Sequence, residues 1–235
     1  MRFAVLVFPG TWSDHDCHHA ITEVMGQEAE LVWHRETDLS RFDAIVIPGG
    51  FSYGDYLRCG AIARFSPVME AVSREAERGK LVIGICNGFQ VLCESHLLPG
   101  ALLRNEDLEF HCEWVNLRTE TLNSPFTGAM QPGQVLRVPI SHGEGRYYAD
   151  DATLAELAAD DRVAFRYCEP DGRITPDSNP NGSLQNIAGI LNKRRNVLGM
   201  MPHPERSMEA AMGGDDGIWI WKSMLEAAVA VAAPE

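Results

Sequence analysis

The sequence predicts an α/β fold, with one mostly parallel central sheet, helices on both faces and a small antiparallel addition. Three observations carry that expectation. In the N-terminal half, short apolar runs alternate with segments of helical character, the β-α-β rhythm of a parallel sheet. One run, Leu81-Val82-Ile83-Gly84-Ile85, reads as a strand buried on both faces and passes through Cys86 straight into a helix-like segment. Beyond about Pro99 the strand-like stretches are joined by loops rich in Asn, Pro and Gly, as in antiparallel sheets. The 235 residues suit a single domain spanning 1–235, because α/β folds often reach about 200–250 residues undivided.

Residues 2–8 form the first strand, and Asp14 to Met25 reads as a helix with a polar start. Ala29 to His34 and Ala44 to Ile47 are further short strands. The second enters a glycine-rich loop, Pro48-Gly49-Gly50-Phe51-Ser52-Tyr53-Gly54-Asp55. Ala61 to Arg78 follows as a helix closed by Gly79. After the 81–85 strand, Asn87 to His96 continues as a helix. Phe110 to Arg118 and Gln134 to Pro139 are strands, and Ser141-His142-Gly143-Glu144-Gly145 is a polar turn. Asp150 to Ala159 is an acidic helix, Val163 to Cys168 a strand, and Asp171 to Gly182 a loop. Asn186 to Leu191 and Asn196 to Met201 are the last strands, and a helix from about Asp216 to Ala232 closes the chain.

The charge balance is 33 acidic against 20 basic residues, a net charge of -13, with no basic cluster. That argues against nucleic acid and anionic membrane surfaces as partners. The first strand is too short for a signal-peptide core and runs into Pro9-Gly10, and no apolar stretch is long enough to cross a bilayer. The six cysteines show no dense spacing in a chain of this size, so reduced thiols and a cytoplasmic setting are expected. Neither Cys17-His18-His19 nor His111-Cys112 has the spacing of a zinc site, and surface or strand positions account for them; no metal is expected.

Cys86 carries the chemistry. A side chain at a strand-to-helix corner is forced outward above the sheet. Gly84 and Gly88 leave room for the turn, so the layout is a nucleophile elbow with cysteine in place of serine. The positive end of the following helix favours thiolate there. Among the eight histidines, His203 has the best setting for a base, just past a strand in Met201-Pro202-His203-Pro204-Glu205. Glu205 stands close enough to fix its tautomer. The Asn87 amide is placed by elbow geometry to meet an oxyanion, and Gly49-Gly50 can offer a second N–H. No lysine or Ser/Thr follows those glycines at nucleotide-loop spacing. An inert buried cysteine and an ordinary strand-end turn remain alternatives to these two readings.

Gly84-Ile85-Cys86-Asn87-Gly88-Phe89-Gln90, with Pro48-Gly49-Gly50 upstream and His203-Pro204-Glu205 downstream, resembles the class I (triad) glutamine amidotransferases, whose fold is flavodoxin-like. Pro48 to Arg58, Leu98 to Asn105, His142 to Gly145, Asn179 to Ser183 and Gly199 to Arg206 are more closely similar to the glutaminase subunits of phosphoribosylformylglycinamidine synthases. The resemblance implies Cys86 as nucleophile, His203 as acid/base and Glu205 as its orienter. Gly50 and Asn87 would supply oxyanion N–H groups, and Gln90, His142 and Gly143 would line the L-glutamine pocket. It also implies no cofactor in this chain. ATP and Mg are expected on a partner synthetase subunit, with a small accessory subunit as second partner. Asp55, Arg58 and Arg104 fall in motifs peculiar to this subfamily, which suggests a partner interface or simply exposed loop charges. Trp12-Ser13 departs from the family's usual small polar residue and cysteine. Being remote from the triad motifs in sequence, it is expected to affect packing or a partner contact and not the chemistry. A stand-alone cysteine hydrolase and a catalytically silent, redox-sensing module are the competing functions.

Overall fold

A computed structural model describes residues 1–232; the last three residues of the expected 1–235 domain lie outside the described residues. One sheet of nine strands organises the chain. Strands β1 (Arg2–Val7), β2 (Glu28–Trp33), β3 (Ala44–Ile47), β4 (Leu81–Ile85) and β11 (Val197–Met200) pair in parallel. The sheet then continues antiparallel through β10 (Ile187–Leu191), β9 (Val163–Cys168), β6 (His111–Thr119) and β7 (Val135–His142). The spatial order is β2-β1-β3-β4-β11-β10-β9-β6-β7, and β5 (Ala101–Leu103) pairs apart from it with β8 (Arg146–Tyr148). The antiparallel part therefore extends the main sheet by four strands.

Burial follows from layering. Phe3, Ala4, Val5 and Leu6 are all sealed, so both faces of β1 are covered, and β3 and β11 are buried throughout. This is why these strands read as continuous apolar runs. Strands β6 and β7 alternate instead, because one face meets solvent. Helix α1 (Asp14–His19) packs on β1 and β2, and α3 (Asn87–Glu94) on β3, β4 and β11. Trp221 of α5 (Ile218–Ala232) meets Phe3 edge-on at 6.3 Å. Helices α2 (Pro67–Glu77) and α4 (Asp151–Ala159) complete the chain, the latter capped by Asp150 accepting from the Thr153 amide at 2.8 Å.

Several boundaries moved for identifiable reasons. The helix expected over 61–78 begins only at Pro67, since proline opens a helix readily but lacks the N–H to continue one. The helix expected over 14–25 becomes a π-turn from Ala20 to Val24. Cys17, expected at the surface, is completely buried in the core. Strand β7 runs past Pro139 to His142; it is the sheet's edge, where proline's missing donor goes unused.

Candidate active site

The parallel strands point their carboxyl ends at one rim, where ligands collect in such sheets. Cys86 joins β4 to α3 with φ 52° and ψ -107°, a conformation that costs about 1–3 kcal/mol and persists only where the surroundings impose it. Its amide donates to the Met200 carbonyl at 2.8 Å. A Cβ on Gly88 would stand 1.9 Å from the Ile47 carbonyl oxygen, and one on Gly84 2.5 Å from Leu92 Cδ1. Only glycine allows helix and strand to approach this closely, which is the elbow expected from the sequence.

β11 delivers His203 to the same rim. The His203 amide donates to the Pro139 carbonyl at 2.8 Å, and Nδ1 meets Glu205 Oε1 at 2.6 Å. Both side chains are sealed, at 3% and 0% exposure. Burial opposes the imidazolium, but the Glu205 carboxylate and the Cys86 sulfur outweigh it and raise His203 to about 10. Nε2 is buried without a hydrogen-bond partner. Cys86 Sγ lies 3.7 Å from the Ser141 carbonyl oxygen.

Cys86 opens on a cavity of about 210 Å³, lined also by Gly50, Gln90, Phe110, His142 and Gly143. That is below the roughly 300–1,000 Å³ of drug-sized pockets and suits a small metabolite. A chain of hydrogen bonds frames it. The Ser52 amide donates to Asn87 Oδ1 at 3.2 Å, Asn87 Nδ2 to Gln90 Oε1 at 2.8 Å, and Gln90 Nε2 to the Glu144 carbonyl at 2.7 Å. As first residue of α3, Asn87 has an amide without an intrahelical acceptor. His142 is buried, and this desolvation, with His203 and His111 nearby, lowers it to about 3, so it is neutral. Its Nδ1 meets Asn105 Oδ1 at 3.2 Å.

The structure thus brings together Cys86, His203, Glu205, Gly49, Gly50, Asn87, Gln90, His142 and Gly143. Asp55 lines the cavity, where burial, a hydrogen bond from Cys59 that partly offsets it, and the nearby Glu144 carboxylate leave its carboxyl raised. Arg58 forks onto Glu94 at 2.5 and 2.7 Å, tying the 51–60 loop to α3, and Arg104 reaches Glu144 at 3.5 Å. The Trp12-Ser13 segment, remote from the triad motifs in sequence, packs beside them in space. Ser13 is fully buried, and its Oγ stands 2.9 Å from where a Cβ on Gly49 would be, with His203 Cε1 2.7 Å from the same point. The loops after β1 and β3 meet because their strands are neighbours. Sequence reasoning also missed Asn105, which lies in the Leu98 to Asn105 motif but showed no chemistry of its own. Asn181, which donates to the Gly145 carbonyl at 2.9 Å, was equally silent.

Among the described residues no group of three His, Cys, Asp or Glu side chains is placed to hold a metal ion, and no helix is long and apolar enough to cross a membrane.

The fold and the comparisons define the class. Residues 1–224 match the CobB/CobQ-like glutamine amidotransferase domain, and the chain belongs to that family. Its relatives include the phosphoribosylformylglycinamidine synthase subunit PurQ of Thermomicrobium roseum, 59% identical over 99% of this chain and 98% of that protein. The PurQ subunit of Koribacter versatilis is 60% identical over 97% and 98%. The structure of PurLQS from Thermotoga maritima contains a chain with TM-score 0.86 and 43% identity, covering 97% of this chain and 98% of that one. A glutamine amidotransferase from the same organism shares the fold at TM-score 0.56 and 15% identity, over 97% and 92%.

Proposed function

We infer that this chain is the glutaminase subunit of a phosphoribosylformylglycinamidine synthase. It hydrolyses L-glutamine to glutamate and ammonia and passes the ammonia to an ATP-dependent subunit that converts formylglycinamide ribonucleotide to formylglycinamidine ribonucleotide. The observation that carries the reading is the buried His203–Glu205 pair beside an elbow cysteine, in a chain similar to PurQ subunits over its whole length.

The geometry supports the following chemistry. With the proton on His203, the Cys86 sulfur attacks the side-chain amide carbon, and the Gly50 and Asn87 N–H groups hold the oxyanion. His203 protonates the departing nitrogen, ammonia leaves, and a γ-glutamyl thioester remains. The imidazole then takes a proton from water, the hydroxide attacks the thioester, and Cys86 sulfur departs with glutamate released. Glu205 keeps the ring in one tautomer and supports its charge. Gln90, His142 and Gly143 line the glutamine subsite. The chain works as one domain and needs no cofactor for these steps.

The Thermotoga maritima relative comes from the structure of PurLQS. We take the partners here to be a synthetase subunit, which uses ATP and Mg, and a small accessory subunit, and the setting to be the reducing cytoplasm that six free cysteines suit. In the assembled complex, Cys86→Ser should abolish synthesis from glutamine and leave synthesis from ammonium salts intact. Loss of both activities in an assembled complex would remove Cys86 from the role of ammonia supplier.

A further inference from the structure

The segment Thr11–Ser13 contacts the glycine loop through its backbone, on the side opposite the Gly50 N–H. The Trp12 and Ser13 amides both donate to the Gly49 carbonyl, at 3.0 and 3.2 Å. In return the Phe51 amide donates to the Gly10 carbonyl at 2.9 Å, and Tyr53 to Pro9 at 2.6 Å. The Gly49–Gly50 peptide is trans, as are all peptide bonds described. In a trans unit the C=O and the next N–H point in opposite directions. Two donors on the Gly49 oxygen therefore turn the Gly50 N–H away from the 11–13 segment. Gly50 lines the cavity with Cys86. A Cβ on Gly50 would lie 2.5 Å from the Trp12 nitrogen, so the segments lie too close for any other residue at this φ of 144°.

We propose that Trp12 and Ser13 are positioning residues for the reaction: their backbone N–H groups clamp the Gly49 carbonyl and so aim the Gly50 N–H at the oxyanion. This rests on the glutaminase reading of the site. It assigns a purpose to a loop whose sequence departs from the family pattern: backbone amides do the clamping, so the side chain at position 12 is free to vary, and the Trp12 indole is indeed 73% exposed. Position 13 is confined instead, because Ser13 is fully buried with its hydroxyl beside Gly49.

The test removes one N–H. A synthetic 1–16 segment with an ester in place of the Trp12 amide is joined to the chain at Cys17, beside an all-amide chain made in the same way; Trp12→Pro is the genetic counterpart. Glutamine turnover and iodoacetamide alkylation of Cys86, a displacement that needs no oxyanion donor, are measured together. The ester chain should lose roughly 10- to 100-fold in kcat, part of the roughly 10²–10³ that a missing oxyanion donor costs. KM and the alkylation rate should stay within about threefold. Equal kcat in the ester and all-amide chains overturns the proposal. So does an alkylation rate that falls in step with kcat, which marks general damage to the site, whether from ester or proline. If the all-amide chain releases no ammonia, alone or with the synthetase, the glutaminase reading fails instead.

Discussion

Glu205 Oε1 meets His203 Nδ1 at 2.6 Å, with both side chains sealed from solvent. A contact this close and dry holds the imidazole in one orientation and favours its charged form. The neighbouring Cys86 sulfur adds to the field that favours the cation.

That pair gives a signed pH dependence. His203 is raised to about 10 in the folded protein, against about 6.5 when unfolded. Its contribution to stability is complete below about pH 6.5 and fades as pH rises toward 10. The slope reaches at most about 1.4 kcal/mol per pH unit. Glu205→Gln removes the main cause of the raised value, so urea unfolding from pH 6.5 to 10 should show a flatter decline. A wild-type slope preserved in the variant would show that another group titrates. In turnover, His203→Ala should be the more damaging change, since it deletes the base and Glu205→Gln only disturbs it.

Asn105 ties the pocket wall together. It accepts from Gly145 N–H at 3.0 Å and donates to the carbonyls of His142 and Glu109 at 2.9 and 2.8 Å. Its Oδ1 also accepts a hydrogen bond from His142 Nδ1 at 3.2 Å. Asn105→Ala leaves the His142 carbonyl and the Gly145 amide without this partner, and an unsatisfied buried group costs about 1–3 kcal/mol. Denaturant unfolding should register a loss of about that size, and steady-state kinetics a higher KM for glutamine with a smaller change in kcat.

Gly49 has almost no free space beside the triad. In Gly49→Ala the new methyl stands 2.7 Å from His203 Cε1 and 3.3 Å from Cys86 Cβ. Overpacking of this kind costs about 1–3 kcal/mol. Because the parts that yield are His203, Cys86 and the 11–13 segment, kcat should fall by about 10-fold or more while the protein still melts cooperatively. Thermal melting and ammonia release, measured side by side, check this. Undiminished turnover would show that the triad tolerates displacement.

The linear order of residues was enough for the elbow and for the pairing of His203 with Glu205. Gly84, Cys86 and Gly88 act through local backbone geometry, and Glu205 is two residues from His203, so both arrangements are written in short range. The apolar runs of β1, β3, β4 and β11 likewise declare strands covered on both faces. Other features depend on which strands become neighbours, and spacing along the chain carries no trace of that. Ser13 reaches Gly49 because β1 and β3 pair, and Asn105, 37 residues away from His142 along the chain, bonds both it and the 143–145 turn that follows β7. Hydrogen bonds of buried polar groups are settled by the packing around them, so it was the tertiary structure that brought a quiet asparagine to His142 and an unusual Trp-Ser pair to Gly49.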